Sequence, residues 1–326
     1  MSKVKFLFSS LFIAALLFSG LDYAQAQTRA EAVDSFNEAQ DLLRANNFAD
    51  ALVKFQETRS LAQAAGSDAD DIRERAESQI PGTQVRIAQA AYQSRDFARS
   101  VEEFDKAADL ADEFGNSQVA QQVRGNVLVV LLQWGNTEYN NNNNDRAEEI
   151  YRMALDRNEN YPNPYYQLGL IERRRGNLDQ ALQYFDTAIN LALGQNRQSV
   201  AESAEGAARD FLTFRGSTLI EEGNNRRAIE LLTRSLEYDT NHANTYYRLS
   251  EAHNQLGNWS DAISNANRAL ELEQGGQVAR AKIYFELGTA YMNQNNESQA
   301  CAAFKSASVG SFRAAAEHHL EHDLDC

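Results

Sequence analysis

Proline and positive charge are what this chain has least of. Pro81, Pro162 and Pro164 are its only prolines, so long stretches contain nothing that breaks a helix. Few segments alternate apolar and polar residues with period two. Alanine, glutamine, leucine and glutamate abound instead, which argues against a β-rich chain and predicts an all-α one. Lys and Arg together number 31 against 46 Asp and Glu, a formal net charge of −15. So acidic a chain repels phosphate backbones and anionic bilayers, and neither nucleic acid nor a membrane surface is an expected partner. Arg173, Arg174 and Arg175 form the one evident basic patch. Catalytic signatures are missing too: the sequence has no HExxH, no phosphate-binding GxxxxGK loop, no GxSxG and no CxxC. Nothing pairs a nucleophile with a base, so no catalytic residue, no metal and no cofactor is expected. His318 and His322 share a helix face at a spacing that can hold zinc, but a third ligand and a sheltered site are not evident. A solvated acidic face is the expectation there.

What is present begins with an address. Lys3 and Lys5 precede an apolar stretch from Phe6 to Phe18, and Ala24-Gln25-Ala26 supplies small residues where a signal peptidase needs them. Residues 1–26 are expected to be a signal peptide cleaved after Ala26, which makes the product exported, periplasmic or secreted. Those thirteen residues, two of them serines, rise about 20 Å as a helix, short of the roughly 30 Å hydrocarbon core. No later stretch is apolar enough to span a bilayer, so the mature chain should contain no membrane span. With 43% hydrophobic residues over 326 positions, the chain can bury a large core.

Three segments align without gaps: 165–189 (YYQLGLIERRRGNLDQALQYFDTAI), 246–270 (YYRLSEAHNQLGNWSDAISNANRAL) and 284–308 (YFELGTAYMNQNNESQACAAFKSAS). Each begins with an aromatic, places Leu three positions on and then Gly or Ser. An alanine follows sixteen positions after the start, with a small residue seven further on. The pattern resembles the tetratricopeptide repeat, a helix-turn-helix of about 34 residues. The resemblance implies that helices A and B of each unit pack antiparallel. Small residues such as Gly169, Ala181 and Ala188 sit where the backbones approach, and Tyr165, Leu168 and Phe185 fill the gaps beside them. One hairpin cannot bury its apolar face alone, so neighbouring hairpins stack into a solenoid.

The helix-B alanine serves as a ruler. It falls at Ala51, Ser100, Ala147, Ala181, Ala228, Ala262 and Ala300, giving seven units near 32–62, 81–111, 128–158, 162–193, 209–239, 243–273 and 281–309 within an array spanning 27–310. The steps are 49, 47, 34, 47, 34 and 38 positions. The three long steps carry extra residues near 61–72, 110–122 and 192–206, read as lengthened helices or short added turns, with Ser67-Asp68 and Asn116-Ser117 as caps. Asn140 to Asn144 reads as a solvated turn. Residues 311–326 read as a capping helix, with Phe312, Ala316, Leu320 and Leu324 on one stripe.

The two cysteines, Cys301 and Cys326, are an even pair in an exported chain, which invites a disulfide. The other reading leaves Cys301 packed in its helix and the terminal thiol free. A straight capping helix carries Cys326 roughly 9 Å too far for a bond unless the last residues curl back.

The resemblance also implies where a ligand lies: a groove lined by the A helices. Carried over onto this sequence, the groove positions are Tyr166, Gln167, Arg173, Arg174, Phe214, Tyr247, Arg248, Asn254, Phe285, Met292 and Asn293, with Ser217, Glu251 and Glu286 beside them and Tyr92, Gln93, Asn136 and Tyr139 in earlier units. Rings for buried area and amides for backbone groups suit an extended peptide. The implied function is a non-enzymatic protein- or peptide-binding scaffold in the cell envelope. The alternatives are a self-assembling structural envelope protein and, further off, a glycan-binding accessory factor. Oligomeric state and the partner's identity are not written in the sequence.

Overall fold

The computed structural model describes residues 26–324 and 326, and among them every regular element is helical. Residues 1–25, nearly all of the expected leader, lie outside the described residues. No helix among the described residues is long and apolar enough to cross a membrane. The chain divides into two compact units, one reaching Arg157 and the other running from Asn158 to Cys326.

The first unit holds α1 (residues 26–44), α2 (Phe48–Ala65), α3 (Asp70–Gln93), α4 (Phe97–Glu113), α5 (Ser117–Asn140) and α6 (Asn144–Arg157). The second holds α7 (Pro162–Arg175), α8 (Leu178–Gly194), α9 (Gln198–Glu221), α10 (Asn225–Tyr238), α11 (Ala243–Gln255), α12 (Trp259–Leu272), α13 (Gln277–Asn293), α14 (Glu297–Ala307) and the short α15 (Arg313–His318). Odd-numbered helices up to α13 are the A members of the hairpins and even-numbered ones the B members.

The reason for this pairing lies in the small residues. All seven ruler residues fall in the first turn of a B helix and are fully buried. Four A helices have a glycine opposite the large residue sixteen positions later. A Cβ on Gly169 would sit 2.5 Å from the Phe185 ring, one on Gly216 2.6 Å from Leu232 and one on Gly288 2.9 Å from Phe304; Gly135 meets Tyr151 in the same way. Those contacts leave no room for even a methyl group, so glycine is retained despite its cost inside a helix. Where the ruler is a serine, the polar group is satisfied locally: Ser100 Oγ donates to the Ala88 carbonyl at 3.0 Å. Ser250 Oγ does the same to Ala262 at 2.9 Å from the opposite helix.

The long steps are extra helix. α3, α5 and α9 each have 24 residues, and the B helices before them have 17 or 18, whereas α6, α7, α10 and α12 have 14. α3 consequently starts at Asp70 and runs through Pro81, near which a repeat boundary was expected. Asn116 caps α5, its side chain accepting from Val119 N–H. Ser67-Asp68 instead opens a 3-10 turn, and α3 follows without a side-chain cap.

The C-terminal cap departs from the single straight helix expected. After a 3-10 turn at Gly310–Phe312, α15 lasts six residues and widens into a π turn at His319–Asp323. There the Leu324 N–H reaches the His319 carbonyl and the Cys326 N–H that of Leu320. This winding takes up the overshoot of a straight helix. Cys301 and Cys326 are joined as a disulfide with their Cα atoms 6.2 Å apart. Ala316, Leu320 and Leu324 pack on Phe304, and Phe312 lies 5.4 Å from the ring of Phe285. His319 stacks on Phe304 at 4.7 Å and its Nδ1 lies 2.6 Å from Asp323. His318 and His322 are solvent-exposed neighbours. Among the described residues no group of three metal-capable side chains gathers.

Candidate ligand-binding clefts

In the second unit α9 packs against α7 and α11, and α11 against α13, so successive A helices form one continuous face. Two clefts open on it. One of about 310 Å³ lies between α9 and α11, with Asp210, Thr213, Phe214 and Ser217 on one wall and His242, Asn244 and Arg248 on the other. The second, about 290 Å³, lies toward α7, where Arg173 faces Asp210, Phe211 and Phe214. Phe214 belongs to both clefts and is 64% exposed. An aromatic ring left that open in a concave surface presents area that a partner can cover.

The floor of the first cleft is polar yet internally satisfied. Thr213 Oγ1 donates to the Arg209 carbonyl, and Thr213, Ser235 and Thr245 hydroxyls lie 2.9–3.2 Å from one another. His242 Nδ1 meets Thr245 Oγ1 at 2.8 Å. Burial, helped by the Arg209 charge, holds the His242 imidazole below its ordinary pKa and so neutral.

Between α11 and α13 the face is charged. Arg248 bonds Glu251 at 2.7 Å and lies over the Tyr247 ring, as does Lys282 from the next helix. Lys282 also donates to Asn244 at 3.2 Å. Asn254 donates to both the carbonyl and the carboxylate of Glu286, at 2.9 and 2.7 Å. Burial, reinforced by Glu251, pushes the Glu286 carboxyl up to about 7, against the opposing pull of Asn254 and Arg248. Two buried atoms here have no partner among the described residues: Arg248 Nε and Asn254 Oδ1. Both atoms are closed off from solvent, which makes them a local cost of burying this charged cluster rather than points of contact.

The groove positions carried over from the repeat pattern divide accordingly. Arg173, Phe214 and Arg248 line the clefts. Gln167 is half-buried on α7, and Arg174 is exposed at that helix's end. Tyr166 leans on Phe185, with ring centroids 6.2 Å apart. Tyr247 is only 7% exposed; its ring is core between α11 and α13 with just its face offered to the two cations. Phe285 and Met292 are half-buried against the cluster of Phe304 and the cap, with Phe285 5.6 Å from Phe304. A groove position in the last repeat has no following A helix beside it, so the cap takes that contact. Asn293, exposed at the end of α13, bonds back to its own helix at Thr289. The sequence reading missed Asp210, His242 and Asn244. His242 lies in the turn before α11, outside the repeat units, whereas Asp210 and Asn244 stand at the second position of theirs and are polar residues that a search for rings and cations passes over.

The first unit has a cleft of different character, about 480 Å³ in volume. Tyr92 and Gln93 end α3, Arg95 stands in the turn and Phe97 opens α4; Gln133, Thr137 and Asn140 from α5, with Asn141 beyond it, form the far wall. Asn140 and Asn141, the first two of the five asparagines read as a solvated turn, thus border a hollow. Asn136 is engaged elsewhere, accepting from Tyr151 at 2.8 Å, and Tyr139 is half-buried.

Residues 132–199, 219–283 and 281–308 each match a family model described as tetratricopeptide repeat. Helix hairpins built on a buried small residue, matched three times by that family, define the class: the chain is a tetratricopeptide-repeat protein. No curated protein matches it. Among solved structures it is similar to YrrB, a TPR protein with an unusual peptide-binding site, at 17% identity and TM-score 0.38, covering 58% of this chain and 91% of that one. It is similar also to MamA, at 18% and 0.40, covering 61% and 97%. The C-terminal part of a TPR repeat-containing protein from Cytophaga hutchinsonii aligns at 16% and 0.42, covering 86% and 98%.

Proposed function

We propose that this chain is a non-enzymatic scaffold that binds an extended segment of another protein along the A-helix face of residues 158–326, and that it works in the cell envelope after export. The observation that carries this reading is Phe214, open to solvent at the junction of two clefts and flanked by Arg173 and Arg248. An apolar side chain of the partner covers the ring. Arg173 and Arg248 on the cleft walls are donors suited to the partner's backbone carbonyls. Membership of the tetratricopeptide-repeat family supports a binding rather than a catalytic role. The export part rests on the leader-like residues 1–26, with the Cys301–Cys326 bond favouring an oxidising compartment.

The test has two parts. The mature chain is used to capture partners from envelope extract, and the captured partner is titrated against wild type and a Phe214→Ala, Arg248→Ala double variant shown by circular dichroism to be folded. Loss of binding is expected in the variant, and unchanged affinity moves the site elsewhere. Mass spectrometry of the chain purified from its host should find an N-terminus at Gln27; an intact Met1 on the product contradicts export by cleavage.

A further inference from the structure

The left-handed turn residue in the first unit breaks the rule that the rest of the chain keeps. Seven turns join an A helix to its B helix, and each has one residue at positive φ. Six of them use Asn or Gly: Asn46, Asn142, Gly176, Gly223, Gly257 and Asn295. The seventh uses Arg95, at φ 62°. A long side chain in that region costs about 1–2 kcal/mol that Gly or Asn largely avoids. Such strain is concentrated at sites where the side chain itself is needed. Arg95 is also the residue that borders the 480 Å³ hollow between α3, α4 and α5.

That hollow has a consistent chemistry. Its wall contains no carboxylate, in a chain with 46 of them. Gln93, Gln133, Asn140 and Asn141 present four primary amides around it, and none of these amide groups is bonded to another described residue. Each amide offers two donors and an acceptor, the complement of a hydroxyl or acetamido group. Tyr92 presents a half-buried ring, braced edge-on by Phe97 at 5.8 Å, whose electron-rich face attracts the polarised C–H groups on one side of a sugar ring. The guanidinium of Arg95 is the single charge, and its planar fork matches a carboxylate. A volume of about 480 Å³ suits a ligand of two or three rings.

We infer that this hollow is a second binding site, independent of the peptide face, that takes an acidic oligosaccharide: rings and hydroxyls on Tyr92 and the amides, a carboxylate on Arg95. A peptide is the poorer fit, since the wall has no exposed apolar pocket for alternate side chains.

The experiment is isothermal titration of the mature chain with an oligouronate tetrasaccharide, a neutral maltotetraose and a short polyglutamate peptide. The oligouronate is expected to bind in preference to both. Arg95→Asn installs the residue that neighbouring turns use, so the variant should fold at least as well as wild type; its melting temperature checks this. It is expected to bind the oligouronate about tenfold more weakly, because a charged hydrogen-bond donor is lost. Tyr92→Leu should weaken binding of both sugars. Absence of oligouronate binding at millimolar concentration overturns the inference. So does unchanged affinity in Arg95→Asn, or polyglutamate binding as strongly as the sugar. None of these outcomes bears on Phe214 or its partner.

Discussion

In the unit that ends at Arg157, the A helices α3 and α5 both run 24 residues; in the unit from Asn158 only α9 does, and α7 and α11 run 14 and 13. The family models match residues 132–199 and 219–308 but nothing before residue 132. Yet Ala51 and Ser100 in the unmatched stretch are as completely buried as Ala181 and Ala262 in the matched one. The helix crossing is therefore fixed by one small-residue contact per hairpin. Helix length beyond that contact is free to grow, and growth takes a repeat out of the 34-residue register without changing how it packs. The clefts differ in the same two regions. The earlier one is walled by amides and a lone arginine, the two later ones by Arg173 or Arg248, the shared Asp210 and an open phenylalanine.

The largest effect that would sharpen this comparison lies at the C-terminus. A Cys301→Ser, Cys326→Ser chain, or one treated with reductant, should lose about 3 kcal/mol of local stability from a loop of this size. Hydrogen exchange should show residues 313–324 losing protection while residues 48–157 keep theirs. Loss of protection in both units would mean that the two are not separately stable. Next comes the crossing itself. Gly169→Ala places a methyl into Phe185 and should destabilise the chain by roughly 1–3 kcal/mol in urea unfolding. Unchanged stability there would break the claim that these contacts set the fold.

The charged face between α11 and α13 predicts a pH dependence that the amide cleft lacks. Glu286 titrates near 7 when folded and in the ordinary carboxylate range when unfolded, so the folded state holds the extra proton in between. Stability should fall as pH rises from about 4.5 to about 7 and not change further from this source. Glu286→Gln can still accept from Asn254 and should flatten that window, gaining roughly 1–2 kcal/mol at pH 8 relative to wild type, less than the full shift because the side chain retains some contact with water. The smallest effect has the opposite sign to that of Gly169→Ala. Gly125 in α5 has nothing near its Cβ position, so Gly125→Ala should stabilise by about 0.5–1 kcal/mol.

The hairpins were legible because their determinant is local: a small residue at a fixed offset from a large one, as in Gly169 with Phe185. The long helices were legible as surplus length made of good helix formers, though Pro81 drew a boundary into the middle of α3. The clefts were less legible. Phe214 is open beside α11, whereas Tyr247 is closed beneath α13 and Phe285 packs beneath the cap. The ruler separates them: Tyr247 and Phe285 stand fifteen positions before their helix-B alanines and Phe214 fourteen, so Phe214 shares the register of Arg248 and Glu286, and the counterpart of the two closed rings is the buried Thr213. Arg95 carried a readable signal, a long side chain where sister turns have Asn or Gly, but it emerges only once the turns are aligned on their backbone geometry.

If a partner lies in the α9–α11 cleft, site-specific photo-crosslinking captures it there. A benzophenone side chain is placed at position 214 in one chain and, as control, at the equally exposed Val53 in another, and each is irradiated in envelope extract. The account predicts a discrete crosslinked partner at 214 that is lost when Arg248→Ala is added, and none at 53. Equal products at both positions, or a product at 53 alone, would contradict it.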